Sequence, residues 1–339
     1  MARLRVLITA RFDQRYAKEM GGIVDSRYHP WDSDTGRLKP EELPTQLQGR
    51  QALVTEIDRV DTALLDECPD LKVIITCRGN PVNVKIPACT QRGVLVLNTP
   101  GRNAEGVADF AMALLLAAAR HLVPAAHFLK EGGWNPKDRG SVYLRFQGAD
   151  LDDATVGLVG FGAVARAVAR RLKGFGSRVL AYDPYVTPEA MAEQGVEAAD
   201  LETVASEADF LSIHVHVIPE TTGMIDAPLL SHMKPTAYLI NTARAGAVDQ
   251  QALLQALKNK RIAGAALDVF HEEPLPEDSP LRMLDNVVLT PHIAGSSPGQ
   301  TRVQSQIMLG QLQALAQGNE PPHILNPEVA ADVIATLKS

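Results

Sequence analysis

Short runs of valine, isoleucine and leucine recur along this chain, and each is followed by a segment with helical spacing. The runs are LRVLIT (4–9), LKVIIT (71–76), VLVLNT (94–99), TVGLVG (155–160), RVLAYD (178–183), FLSIHV (210–215), AYLINT (237–242), IAGAALDV (262–269) and NVVLT (286–290). Their apolar character is nearly continuous rather than alternating, which marks strands buried on both faces of a parallel sheet. Strands that alternate with helices confine the chain to an α/β architecture with right-handed crossovers. The length of 339 residues suggests about two such domains.

Composition narrows the function classes. The formal net charge is −7, with charges of both signs scattered, so no basic face is available for nucleic acid. Cys68, Cys77 and Cys89 form no C-x-x-C pair and no zinc pattern, and read as reduced thiols. The chain starts directly on an apolar strand pattern, without a secretory signal, and its longest apolar stretch, FAMALLLAAA (110–119), is too short for a membrane span. The expectation is a soluble cytoplasmic protein. One helix, NAEGVADFAMALLLAAARHL (103–122), is apolar almost all round. One of its sides is therefore expected to meet a second lobe or a second subunit.

TVGLVGFGAVARAVARRLKGFG (155–176) carries G-x-G-x-x-A at Gly160, Gly162 and Ala165, after a strand and before a helix. A second strand then ends on Asp183. This is the arrangement of a dinucleotide fold. Gly160, with Phe161, makes the tight turn. Gly162 lets a pyrophosphate approach a helix N-terminus, where free N–H groups and the dipole favour an anion. Asp183 accepts from the adenosine ribose hydroxyls and repels a 2′-phosphate, which selects NAD over NADP. About 100 residues precede the cofactor domain proper and are expected to form another lobe, with the cleft between lobes as the default site.

Oxidation of a hydroxyl requires a base, a cation that orients the substrate, and a group that tunes the base. Such residues belong at strand C-terminal ends. Three polar groups stand there: Arg244 in INTARAGAVD, His292 in LTPHIAG, and the carboxylates of DVFHEEP (268–274). An arginine fork suits a carboxylate beside a carbonyl. A nearby carboxylate can tune an imidazole.

With these stretches in view, the chain resembles the D-isomer-specific 2-hydroxyacid dehydrogenases, the group that includes D-3-phosphoglycerate dehydrogenase. The matching segments are NTPGRNAEGVADF, VGLVGFGAVARAVARRLKGFGSRVLAYDPY, MKPTAYLINTARAGAVD, AGAALDVFHEEPLP and LDNVVLTPHIAG. The resemblance implies an Arg–Glu–His catalytic set at Arg244, Glu273 and His292. It places Asp268 beside the nicotinamide, with Ala163, Val164, Val215, Thr242 and Ala243 lining the cofactor and Ala294 and Gly295 closing it. His271 and Glu272 would then be loop residues at the rim. It implies two doubly wound parallel-sheet lobes: a flavodoxin-like substrate domain, residues 1–101 and 292–339, and a Rossmann NAD-binding domain, 102–291. It also implies a homodimer formed through helix 103–122.

Two departures stand out. Relatives carry a glycine-rich substrate loop, whereas CRGNPVNVKIP (77–87) has Asn80-Pro81 and Asn83 there. The amides of Gly79 and Asn80 could still hold a carboxylate, while Pro81 supplies no donor. His216 stands where relatives often have proline. The loop EIDRVD (56–61), with Glu56 and Asp58 beside one arginine, Arg59, reads as a poor phosphate clamp and favours an unphosphorylated hydroxy acid. The expected partner is a small 2-hydroxy or 2-oxo acid. Two related readings are formate dehydrogenases, which carry glutamine in place of Glu273, and NAD-sensing corepressors of the same fold, which bind partner peptides.

Overall fold

The apolar runs form the strands of two separate parallel sheets in a computed structural model that describes residues 3–34, 36–135 and 139–338. The chain divides into two units, Met1–Asn103 with Ser297–Ser339, and Ala104–Ser296. In the first, β1 (Arg5–Ile8), β2 (Asp25–Tyr28), β3 (Ala52–Thr55), β4 (Val73–Thr76) and β5 (Leu95–Asn98) lie in the order β2-β1-β3-β4-β5. In the second, β6 (Thr155–Val159), β7 (Arg178–Tyr182), β8 (Glu197–Ala198), β9 (Phe210–Ile213), β10 (Tyr238–Asn241), β11 (Gly264–Leu267) and β12 (Val287–Leu289) lie in the order β12-β11-β10-β9-β6-β7-β8. These are the two doubly wound α/β lobes, and their strand orders reverse at β1/β3 and at β6/β9.

The continuous apolar runs follow from burial on both faces. Every residue of β3, β4, β5, β9 and β11 is buried. Each valine, leucine or isoleucine so enclosed contributes about 1.5–3 kcal/mol. The first unit is completed from the far end of the chain. Met308, Leu309, Leu312 and Leu315 of the helix Pro298–Ala316, and Val333 of the helix Ala330–Lys338, pack against Val6, Val54, Ile75 and Leu97.

Two expectations are corrected. The second unit runs to Ser296, so His292, Ala294 and Gly295 belong to it and not to the segment beginning at residue 292. The physical reason is that the loop after β12 is hydrogen-bonded to Asp268 at the end of β11. The apolar helix, observed as Ala104–Ala119, is covered by its own unit. Ala108, Ala111, Met112, Leu115 and Ala118 pack in one cluster with the helix Ala163–Phe175 and the sheet. Its outward residues include Glu105 and Asp109, which pair with Arg170 and Arg171. Its apolar circumference therefore needs no second subunit.

Candidate active site

The glycine turn sits at the strand-order reversal of the second unit. Gly160 has φ 89°, a left-handed conformation that favours glycine, and a Cβ there would lie 2.9 Å from Val215 Cγ1. Gly162 is the N-cap of the helix Ala163–Phe175, with no side-chain cap, and open space faces its missing Cβ. The first amides of that helix, at Ala163 and Val164, thus face space that an anion can fill. Ala165 is fully buried, which keeps the helix against the sheet. Phe161 is also fully buried, and its amide donates to Asp183 Oδ2 at 2.7 Å. Asp183 Oδ1 accepts from the Tyr185 amide at 2.9 Å. The carboxylate is thereby fixed at the end of β7, and each oxygen keeps a lone pair.

Beside this turn the unit leaves two buried polar atoms without a protein partner among the described residues, Thr242 Oγ1 and His214 Nδ1. They follow β10 and β9 directly, and those strands pair Asn241 with Ile213, so the two residues are neighbours across the sheet. A buried polar atom without a partner costs free energy unless a ligand or water meets it. The uncapped helix, the open space at Gly162 and these two atoms fit a dinucleotide. Sequence reasoning passed over His214. Burial pushes its pKa down to about 4, so it is neutral near pH 7, with Nε2 3.0 Å from Ser212 Oγ.

Arg244 begins the turn after β10. It is exposed, and its Nη1 donates to the Ala243 carbonyl at 2.7 Å. The turn is shaped by Asn241, a second residue that sequence reasoning missed. Its Oδ1 accepts from the Ala243 amide at 3.0 Å and its Nδ2 donates to the Arg244 carbonyl at 3.0 Å. An asparagine that ends a strand just before such a turn is the available signal.

Glu273 and His292 are brought together from different loops. His292 Nδ1 donates to Glu273 Oε2 at 2.7 Å, and Glu273 Oε1 accepts from the Phe270 amide at 2.9 Å. Nδ1 is thus occupied, and Nε2 is the imidazole nitrogen available to a reactant. Burial raises the Glu273 carboxyl, but bonds from His292 and Phe270, with the charges of His292 and Arg244, hold it below the ordinary 4.5. The stabilisation from this lowered value is complete above the ordinary range. It is lost as pH falls through the lowered one.

Asp268 stands at the end of β11. It has no exposed surface, and its carboxylate accepts from Thr290 Oγ1 (2.6 Å), the Ile293 amide (3.0 Å) and the Ala294 amide (2.8 Å). These bonds clamp the loop that carries His292. That loop holds His292 at φ 54°, a left-handed conformation that costs about 1–3 kcal/mol and persists only when its surroundings impose it. Ala294 is buried and Gly295 half-buried beside the clamp.

Gly79 and Asn80 lie in the first unit, on the exposed loop after β4, and their amides donate to no protein group among the described residues. Asn83 supports that loop by donating to the Asp58 carbonyl at 2.8 Å. His216 is exposed. The acidic loop departs from expectation. Glu56 and Asp58 are buried and turned inward. Glu56 meets Trp31, Arg102 and Gln300, and Asp58 meets Thr9, Thr55 and Arg37. Arg59 pairs with Asp61 at 2.9 Å. Carboxylates neutralised in this way do not argue against a phosphorylated substrate.

Residues 112–294 match the family model described as D-isomer specific 2-hydroxyacid dehydrogenase, NAD binding domain. The chain is 43% identical to a glyoxylate reductase of Thermococcus litoralis over 279 residues, 82% of this chain and 84% of that one. It is 39% identical to a glyoxylate reductase of Thermofilum pendens over 340 residues, 97% of this chain and 96% of that one. Among solved structures, a Thermus thermophilus protein superposes with a TM-score of 0.77 at 34% identity, covering 95% of this chain and all of the other.

Proposed function

The chain belongs to the D-isomer-specific 2-hydroxyacid dehydrogenase family, and on that premise we propose that it reduces a small, unphosphorylated 2-oxo acid of the glyoxylate type with NADH. The observation that carries the catalytic reading is the 2.7 Å bond from His292 to Glu273. The glyoxylate reductase relatives support the substrate class.

Gly160, Phe161, Gly162, Ala163, Val164, Val215, Thr242 and Ala243 would hold the dinucleotide, with Asp183 on the adenosine ribose. Ala294 and Gly295 would border it. When bound, the nicotinamide supplies the hydride for reduction or accepts it in oxidation. His292 Nε2 delivers a proton to the substrate oxygen in reduction and takes it back in oxidation. Glu273 holds the ring through Nδ1 and stabilises its charge. Arg244 offers free N–H groups to the carboxylate and the adjacent carbonyl oxygen. Gly79 and Asn80 would add amides to the carboxylate. Asp268 would lie beside the nicotinamide, and it clamps the loop that carries His292.

The test is a panel of 2-oxo acids with NADH and with NADPH. Turnover of glyoxylate or hydroxypyruvate is expected, with NADH preferred because the Asp183 carboxylate repels a 2′-phosphate. No turnover with intact NADH binding would replace this reading by an NAD-sensing, corepressor-like one. A better kcat/KM on a phosphorylated acid would overturn the substrate class.

We further read the protein as a cytoplasmic homodimer. Its three cysteines are free and buried, as suits a reducing compartment. Among the described residues no single helix is long and apolar enough to cross a membrane. Leu122, Val123, Leu129, Tyr143 and Leu144 expose apolar surface on the helices Leu122–Lys130 and Arg139–Arg145, as a subunit interface would. Light scattering should give twice the chain mass, and a monomer at micromolar concentration would exclude the dimer.

A further inference from the structure

The catalytic reading rests on two loops, one carrying Arg244 and the other carrying Glu273. Their geometry depends on how the second is held against the first. The Arg244 side is anchored in the core through Ala247 and Val248. From Arg244 the chain enters the short 3-10 turn Ala245–Ala247 and reaches Val248, which is buried and pairs with Ile225. The Val248 amide donates back to the Ala245 carbonyl at 2.9 Å.

The Glu273 side is differently supported. Beneath it lies a cavity of about 430 Å³, lined by Val269, Phe270, His271 and Leu275 of the loop and by Ala245 and Val248 opposite. Phe270 and Leu275 of the loop pack against the core, but between His271 and the Arg244 turn the loop borders this void. Packing alone therefore does not set its height above the Arg244 turn. One hydrogen bond crosses the gap. The His271 ring, through Nε2, meets the Val248 carbonyl at 3.0 Å. Among the described residues it is the only hydrogen bond from residues 269–274 to the Arg244 turn.

We propose that His271 is a positioning residue for the proposed reaction: a strut across the cavity that sets Glu273, and through it the His292 ring, against Arg244. Its ring touches no reactant. It acts because Glu273 lies two residues beyond it in the chain. In the same loop Glu273 Oε1 closes onto the Phe270 amide, so that residues 270–273 move as one turn. The neutral and the protonated ring can both donate from Nε2, so the strut holds across the working pH range.

The experiment compares His271→Ala and His271→Gln with the wild type, whose turnover on the 2-oxo-acid panel is established first. Glutamine can place a donor nitrogen near the position of Nε2, whereas alanine cannot. His271→Ala should lower kcat about 10-fold to 100-fold, the range for a small misplacement of catalytic groups. NADH affinity and Tm should stay close to wild type, and the acid limb of the pH–rate profile should rise toward the ordinary glutamate range as the His292–Glu273 bond loosens. His271→Gln should recover most of the rate. The proposal is overturned if the alanine variant keeps kcat within twofold. It is also overturned if both variants lose rate equally, or if the loss appears only as weaker NADH binding or lower Tm. A wild type that turns over while His271→Ala is unimpaired refutes the strut alone. A wild type with no turnover refutes the functional reading, and the strut with it.

Discussion

Replacing His292 with asparagine should lower kcat for 2-oxo-acid reduction by about 10²–10⁴-fold, the usual worth of a general acid–base residue. NADH binding should be largely retained, because Asp183, Gly162 and Thr242 lie on other strand ends. Asparagine is preferable to alanine here for a backbone reason. His292 sits at φ 54°, where asparagine is tolerated and alanine is strained. A loss of rate in the asparagine variant therefore reports the missing proton carrier rather than a disordered loop. Glu273→Gln is its companion. It keeps an acceptor for Nδ1 but removes the carboxylate that holds the ring in its charged form, so kcat for reduction near neutral pH should fall about tenfold or more. Stopped-flow and steady-state rates across pH would check both. A His292→Asn enzyme within tenfold of wild type would remove His292 from the mechanism. An unchanged kcat in Glu273→Gln would remove Glu273 as the group that supports His292.

Asp268→Ala should be the most damaging change away from the reacting groups. The carboxylate accepts three hydrogen bonds in a fully buried setting. Removing it leaves two backbone amides and a hydroxyl without a partner, each costing about 1–3 kcal/mol when buried. Relaxation of the loop would recover part of this, so the net loss should be on the order of 3 kcal/mol. The left-handed backbone at His292 would then relax toward an ordinary conformation, and kcat should fall at least about 100-fold. Asp268→Asn is the sharper probe. It preserves shape but sets an amide N–H₂ against a backbone donor, so it should share most of the defect. Denaturant melts with parallel kinetics decide the matter. If Asp268→Ala melts like wild type, the clamp contributes nothing to stability. If it also turns over normally, the loop does not depend on it.

Much of the architecture is legible in the sequence, and what is not legible has a common cause. Strands enclosed on both faces announce themselves as apolar runs, and those from LRVLIT to NVVLT appear where they were expected. β2 and β8 were not anticipated. DSRY and EA are exposed edge strands that carry no hydrophobic signature, and only pairing with β1 and β7 makes them strands. The helix Ala104–Ala119 was read correctly as apolar but wrongly as lacking a cover within its own lobe, because its neighbours are far away in sequence. The loop 56–61 looked acidic. Only the fold shows its charges turned inward onto Trp31, Arg37 and Arg102.

In DVFHEEP the chain alone supplied four titratable residues, at a strand end where chemistry was expected, with no physical ranking between them. Local sequence determines such properties as strand, turn and residue type, because they depend on near neighbours and on burial pattern. It also determined the cofactor turn, since the Gly160–Gly162 spacing and the Asp183 strand end are parts of one contiguous unit. What each carboxylate does was decided by the tertiary structure. Asp268 turns inward to two amides and a hydroxyl, Glu273 turns outward to a histidine 19 residues later, and His271 spans a cavity to Val248. Hydrogen-bond partners depend on distance in space, and that distance exists only once parallel strands have brought the loops after β10, β11 and β12 side by side.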